Sequence, residues 1–156
     1  MEERPGLLVV EHSRSGSTQQ LCDAAVRAAQ DAVGDALAFR ILGAFDAGPE
    51  DVLWARAVLI ATPARFGYMA GACKDFFERI YYPCLERTRA LPYALLVKGD
   101  TDTSGAVSSV ERIATGLGWR RVLPALEVVG EIGPEQLDAA AELGGTLAAG
   151  VEAGIF

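Results

Sequence analysis

The sequence predicts an α/β domain: a three-layer sandwich with a five-stranded parallel sheet of order 2-1-3-4-5 and helices on both faces. Short β-rich apolar runs alternate with longer amphipathic segments along the whole chain, the pattern of strands joined by helical crossovers. Three of the runs, residues 7–11 (LLVVE), 57–62 (AVLIAT) and 93–98 (YALLVK), are almost continuously apolar, as strands covered on both faces are. Two others carry the marks of sheet edges: residues 37–42 include Arg40, and residues 122–129 are broken by Pro124 and include Glu127. With an edge at the second run and an edge at the fifth, right-handed crossovers give the stated order.

The connecting helices follow in turn. Gly34 and Gly118 stand where the first and fourth must stop, since glycine accepts the left-handed conformation that ends a helix. The third contains Phe76, Phe77, Ile80, Tyr81 and Tyr82, and Pro83 predicts that it ends or kinks near Tyr82. Lys74/Glu78 and Asp75/Arg79 are i,i+4 pairs on its exposed face. In the fourth, Val107, Val110, Ala114 and Leu117 share one face; in the last, Leu137, Ala140, Gly144, Leu147 and Val151 do, with Pro134 suited to its first turn. There is no repeat, linker or low-complexity tract, so residues 1–156 read as one domain. A chain of that length buries roughly 70% of its unfolded surface without needing disulfides.

Composition narrows the partners. Fourteen basic against twenty-one acidic residues leave a net charge of −7, with no basic cluster beyond Arg120-Arg121, which argues against nucleic acid. Cys22, Cys73 and Cys84 are odd in number and lack C-x-x-C spacing, pointing to free, inert packing thiols and a cytoplasmic protein. Residues 1–5 are unlike a secretion signal, and no apolar run approaches the span of a bilayer, so no membrane partner is expected. No cluster of metal-ligating residues is apparent.

In a sheet of this order, ligands bind beyond the carboxyl ends of the strands, where three loops meet. The first, Ser13-Arg14-Ser15-Gly16-Ser17-Thr18, has the hydroxyls, the glycine and the following helix N-terminus that hold a phosphate. A plain turn in which Ser17 or Thr18 caps the helix is the alternative. The second, Pro63-Ala64-Arg65-Phe66-Gly67-Tyr68-Met69-Ala70-Gly71, offers aromatics and Met69 to a flat ring and glycines for close backbone approach. The third, Gly99-Asp100-Thr101-Asp102-Thr103-Ser104-Gly105, suits hydrogen bonds to a heterocycle's edge, or a tight turn with a cap. His12 sits at the mouth, either near a ligand or in a structural hydrogen bond. Trp54 and Trp119 read as core or rim, and Tyr81-Tyr82 as core or interface.

The first loop resembles the FMN-phosphate loop of flavodoxins. Thr62-Pro63-Ala64-Arg65-Phe66-Gly67-Tyr68-Met69-Ala70-Gly71, with Lys74-Asp75-Phe76 after it, resembles the T-P-x-R-F-G-x-M-x-G signature of the flavodoxin-like NAD(P)H:quinone oxidoreductases. The resemblance implies a flavodoxin-like three-layer sandwich. It implies an FMN phosphate held by Ser13, Arg14, Ser15, Gly16, Ser17 and Thr18, with the isoalloxazine ring against Pro63, Ala64, Arg65, Phe66, Gly67 and Tyr68. Gly99, Asp100, Thr101, Asp102, Thr103 and Gly105 would line its other edge. No side chain is assigned a catalytic role, since the flavin carries the chemistry. The function implied is a small NAD(P)H-dependent oxidoreductase, with NAD(P)H a transient co-substrate because no G-x-G-x-x-G occurs. The acceptor would be a small molecule or a redox protein, and a homo-oligomer is left open.

Two departures separate the chain from those enzymes. It lacks their insertion before the third strand, and it has Gly116-Leu117-Gly118-Trp119 where they carry a histidine that reaches a neighbouring subunit's flavin site. The third loop also lacks the tyrosine with which flavodoxins stack on the flavin, leaving one ring face open. The alternatives are a flavodoxin-type electron carrier and a flavodoxin-like domain that has lost FMN and serves as an interaction module.

Overall fold

The computed structural model describes residues 6–156; residues 1–5, read above as unlike a secretion signal, lie outside the described residues. The elements run β1 (Gly6–Glu11), α1 (Ser17–Val33), β2 (Ala38–Gly43), α2 (Pro49–Trp54), β3 (Ala57–Arg65), β4 (Tyr68–Met69), α3 (Gly71–Cys84), β5 (Pro92–Gly99), α4 (Ser104–Gly116), β6 (Arg120–Arg121), β7 (Leu126–Val129) and α5 (Pro134–Glu152). A short 3-10 turn, Gly34–Ala36, follows α1.

The sheet has the order β2-β1-β3-β5, with β6 and β7 sharing the far edge of β5. This is the expected arrangement with two differences. The predicted fifth strand over residues 122–129 is two pieces: β6 pairs at Pro92 and Tyr93, and β7 pairs from Leu96 to Gly99. Pro124 lies between them, and a residue without an N–H cannot extend a ladder. The sheet is also not wholly parallel, because the two residues of β4 fold back antiparallel on the end of β3, pairing Ala64 with Met69 and Arg65 with Tyr68.

Side-chain alternation along β1, β3 and β5 divides the core in two. Leu8, Val10, Val58, Ile60, Leu95 and Val97 pack on Phe76, Phe77, Ile80, Val110 and Trp119 from α3, α4 and the following loop. Leu7, Val9, Leu59, Ala61, Ala94 and Leu96 pack on Leu21, Ala25, Leu143 and Leu147 from α1 and α5. Each fully buried leucine or valine contributes about 1.5–3 kcal/mol, so these two layers dominate the folding energy.

The helices follow local rules with one exception. α2 is too short for periodicity to reveal it; Pro49 opens it, and the Asp51 carboxylate accepts the Gly48 N–H (2.9 Å) and pairs with Arg40 (3.1 Å). α3 ends at Cys84, two residues past Tyr82, and takes Pro83 into its last turn. In the last turn the proline removes a single backbone hydrogen bond, its ring is exposed, and the Leu85 N–H still reaches Tyr81 O at 2.8 Å. All three cysteines are free and buried. Burial pushes the Cys22 thiol up to about 12 and Cys73 to about 11, so neither is a thiolate at neutral pH.

α1 and α5 approach so closely that a Cβ on Gly144 would collide with the carbonyl of Ala25, whereas one on Gly145 would come no nearer than 3.8 Å to Ala28. Gly144→Val should therefore destabilise the protein by about 3 kcal/mol through overpacking. Gly145→Ala should stabilise it, by up to ~1 kcal/mol, through helix propensity. Denaturant melts of both variants check the contrast.

Candidate functional site

Because β1, β2, β3 and β5 are parallel, their carboxyl ends open on one edge, and the loops after them gather there. The loop after β1 is fixed at its start, where the His12 N–H donates to Ala61 O at 3.1 Å. It turns through Gly16, whose φ of 89° lies in the left-handed region, directly before α1. Neither Ser17 nor Thr18 caps the helix: α1 has no side-chain cap and no acid in its first turn. The one hydroxyl that turns back is that of Ser13, which accepts the Gly16 N–H at 3.0 Å. Arg14, Ser15 and Gly16 are exposed, Ser17 is half-buried with its Oγ 3.3 Å from that of Ser15, and Thr18 is enclosed. The first amides of α1 and its positive dipole end are thus presented to solvent without a built-in anion.

The second loop is a hairpin tip. Phe66 (φ 52°) and Gly67 (φ 70°) form a two-residue turn with both residues left-handed. Asparagine or glycine is usual at the first position; a phenylalanine there costs about 1–2 kcal/mol. Its ring is wholly exposed, Tyr68 is 40% exposed, and neither belongs to the core. The base is pinned twice: the Thr62 hydroxyl accepts the Ala70 N–H (3.0 Å) and donates to Pro63 O, while the Ser109 hydroxyl accepts the Met69 N–H (3.1 Å) and donates to Ala106 O. Met69, expected to meet a flat ring, is instead 2% exposed and part of the core, because strand alternation turns it inward when Tyr68 turns out. Pro63 is buried, with Ala64 and Arg65 half-buried above it.

The third loop lies against the second. A Cβ on Gly99 would come within 3.3 Å of the Ala64 Cβ and 2.9 Å of a Thr103 methyl, and one on Gly105 would collide with the carbonyl of Gly67. Only glycines permit these two backbone approaches. Asp102 makes the turn expected as the bland alternative: its Oδ1 accepts both the Ser104 N–H (2.9 Å) and hydroxyl (2.8 Å), which holds its carboxyl below the usual range. Thr103 is buried and donates to Glu127 at 2.8 Å, so its side chain is already committed. Asp100, Thr101 and Asp102 stand in solvent, and the loop carries no aromatic ring.

Three residues at this edge escaped the sequence reading. Phe45, on the loop after β2, is 64% exposed and meets the His12 ring edge to face at 6.0 Å. Glu11 ends β1 with an enclosed Oε2 that has no hydrogen-bond partner; burial, then Asp23, raises its carboxyl above the usual range. Lys98 is nearly buried at the end of β5, donates to Gly99 O (3.2 Å), and lines an open polar cleft of about 500 Å³ with Ser17, Gln20, Asp100 and Glu131. Lys98 could have been noticed as a charge closing an apolar run. His12 makes no side-chain hydrogen bond among the described residues, and its imidazole is held below the ordinary value, first by burial and then by Arg14 and Arg65. No group of metal-ligating residues occurs among the described residues, and none of their helices is long and apolar enough to cross a membrane.

Topology and the convergence of these loops define a flavodoxin-like fold. No protein-family model and no curated protein matches the sequence. Solved structures do. A flavodoxin from the domain Archaea aligns with a TM-score of 0.82 at 15% identity, covering 94% of this chain and 99% of its own. The flavodoxin, WrbA-like protein from Agrobacterium tumefaciens gives 0.77 at 16%, over 96% and 98%. A Streptococcus pneumoniae flavodoxin gives 0.78 at 21%, over 92% and 98%. The likeness is one of fold, along nearly the full length on both sides.

Phe66→Asn should relieve the left-handed strain and stabilise the protein by about 1 kcal/mol, since asparagine tolerates that conformation. A denaturant melt measures it. A loss of several kcal/mol would mean that the ring packs into the core.

Proposed function

We propose that the chain binds FMN at the carboxyl edge of the sheet and acts as a small NAD(P)H-dependent oxidoreductase. The observation that supports flavin binding most strongly is the uncapped start of α1 behind a left-handed glycine, in a fold whose solved relatives include flavodoxins. The donor set fits the group. Main-chain amides and hydroxyls of Ser13–Thr18 suit a phosphate; a Cβ on Gly16 would meet nothing within 4 Å, so an anion can approach the backbone there. Pro63, Ala64, Arg65, Phe66, Gly67 and Tyr68 would face the ring system from the hairpin. Gly99, Asp100, Thr101, Asp102, Thr103 and Gly105 would face it from the third loop, chiefly by backbone where side chains are committed.

FMN, when bound, supplies hydride and electron transfer. The protein's part is to position it and control access. Asp100, Thr101 and Asp102 offer no stacking ring, so one flavin face would stay open to a hydride donor, which supports an enzyme over a carrier. A flavodoxin-type electron carrier is the second reading, favoured by the flavodoxin relatives and by the net charge of −7, which would steer docking to a basic partner. Turnover of NADH or NADPH with a small acceptor separates the two: an enzyme sustains it, a carrier does not. Three free buried thiols fit a cytoplasmic setting.

Calorimetric titration should show FMN binding and FAD binding no more tightly, because the loop closes on a terminal phosphate. Gly16→Val should abolish FMN binding with the far-UV circular dichroism unchanged, since a β-branched residue resists φ near 89° while open space around the Cβ spares the fold. Normal affinity in that variant would place the phosphate elsewhere.

A further inference from the structure

Lys98 is a buried charge that the fold pairs poorly. Its side chain is 9% exposed, and an ammonium taken out of water is costly unless it is well bonded. Its two contacts are Gly99 O at 3.2 Å and the Asp100 carboxylate at 3.4 Å, both long for an ammonium, which bonds best at about 2.7–2.9 Å. Asp100 is 92% exposed, so solvent screens that pair. Lys98 has no other hydrogen-bond or ion-pair partner among the described residues.

The sheet register fixes where this charge points. Ala94 and Leu96 of β5 pack against α1 and α5, and strand alternation sends Lys98 out of the same face. Lys98 is level with Pro63 of β3, and Glu11 of β1 is level with Ala61. The His12 N–H keeps the chain on β3 one residue past Glu11, so the loop after β1 leaves the sheet close to the level of Pro63 and Lys98. The two strand ends stand two strand spacings apart, about 10 Å. The cleft of about 500 Å³ spans that gap: Lys98 lines one side, and Ser17 and Gln20 of the first turn of α1 line the other. Asp100 and Glu131, which also line it, are exposed.

We propose that Lys98 supplies the counter-charge for the flavin's phosphate, gripping from within the cleft the anion that the loop after β1 and the start of α1 hold by their main-chain amides. The proposal rests on the flavin reading and adds to it a residue outside the three loops. The N-terminus of α1 is uncapped and carries no acid, yet a helix dipole is worth only about half a charge, whereas a phosphate monoester carries up to two. The ammonium makes up part of the difference. Its flexible four-carbon stem lets it leave Gly99 O and Asp100 for the anion. The empty site thus keeps an under-bonded cation, and a bound phosphate satisfies it.

Lys74 and Lys98 are the chain's two lysines, and Lys74, paired with Glu78 on the exposed face of α3, serves as the control. Wild type, Lys98→Met and Lys74→Met are titrated by calorimetry, at several salt concentrations, with FMN and with riboflavin, which has the same ring and no phosphate. The flavin-free proteins are melted in denaturant. Lys98→Met should lose at least tenfold in FMN affinity and part of its salt dependence, with riboflavin affinity unchanged. It should melt at the same or a higher denaturant concentration, because an apolar side chain of similar length replaces a poorly paired buried charge. Lys74→Met should bind both flavins as wild type does. A second measurement needs no variant: reductive methylation of wild type, read at each lysine by mass spectrometry, should be slowed at Lys98 by FMN but not by riboflavin, with Lys74 unaffected by either. If Lys98→Met does not fold, the methylation pattern decides. The inference is overturned if Lys98→Met keeps the wild-type preference for FMN over riboflavin, if it weakens both flavins alike while destabilising the flavin-free protein, as a purely structural lysine would, or if FMN protects Lys98 no better than riboflavin. FMN binding by wild type, and the flavin reading with it, would survive each of these results. If neither flavin binds wild type, the flavin reading falls and the role of Lys98 falls with it.

Discussion

Burial of β1, β3 and β5 on both faces is the constraint from which the rest of this molecule follows. A strand with apolar side chains on both sides needs helices above and below, and each helix returns the chain so that the next strand runs parallel to the last. Parallel strands end together. The loops after β1, β2, β3 and β5 therefore meet at one edge, and the candidate site residues come from segments far apart in sequence. Packing puts the site where it is; the loops decide what it recognises.

Among those loops the β3–β4 hairpin departs furthest from the lowest local energy. A left-handed phenylalanine at a hairpin tip costs more than asparagine or glycine would, and it persists because the base is held by Thr62 and Ser109 from below. Two buried hydroxyl bonds of about 1 kcal/mol each are comparable with the strain. Gly105 then lets the first turn of α4 press against Gly67, so the hairpin is braced by a neighbouring element as well as by its own root. The exposed Phe66 ring is thus carried on a braced backbone.

What the sequence discloses follows the length scale of each interaction. Strands and helices whose burial depends on periodicity are legible within a residue or two: β1 and β5, the start of β3, which runs three residues past Thr62 to Arg65, the stops at Gly34 and Gly118, and the inward stripes of α4 and α5. Features set by the absence or commitment of one partner are harder to read. Pro124 announces an interruption without revealing that the edge splits into β6 and β7, and Pro83 marks the end of α3 to within two residues without showing that the helix takes it into its last turn. Met69 and Tyr68 are neighbours of similar bulk, and only the strand pairing decides which turns inward. Glu11 and Lys98 are hidden for another reason: a charge closing an apolar run gives no sign of whether it is enclosed, and that depends on the helices laid over it.

The acidity of the chain does not oppose an anion site at this edge. At physiological salt the field of an exposed charge decays over roughly 8 Å, so acids scattered over the helices contribute little at the loop after β1. The nearby charges decide. Those include the positive end of α1, which has no acid in its first turn, and Arg14 on the loop before it. Glu11 adjoins them at the end of β1, and burial makes its neutral form easier to keep than in water. An anion at this edge would therefore meet the positive end of α1 and a carboxyl that resists ionisation, whatever the net charge of the chain.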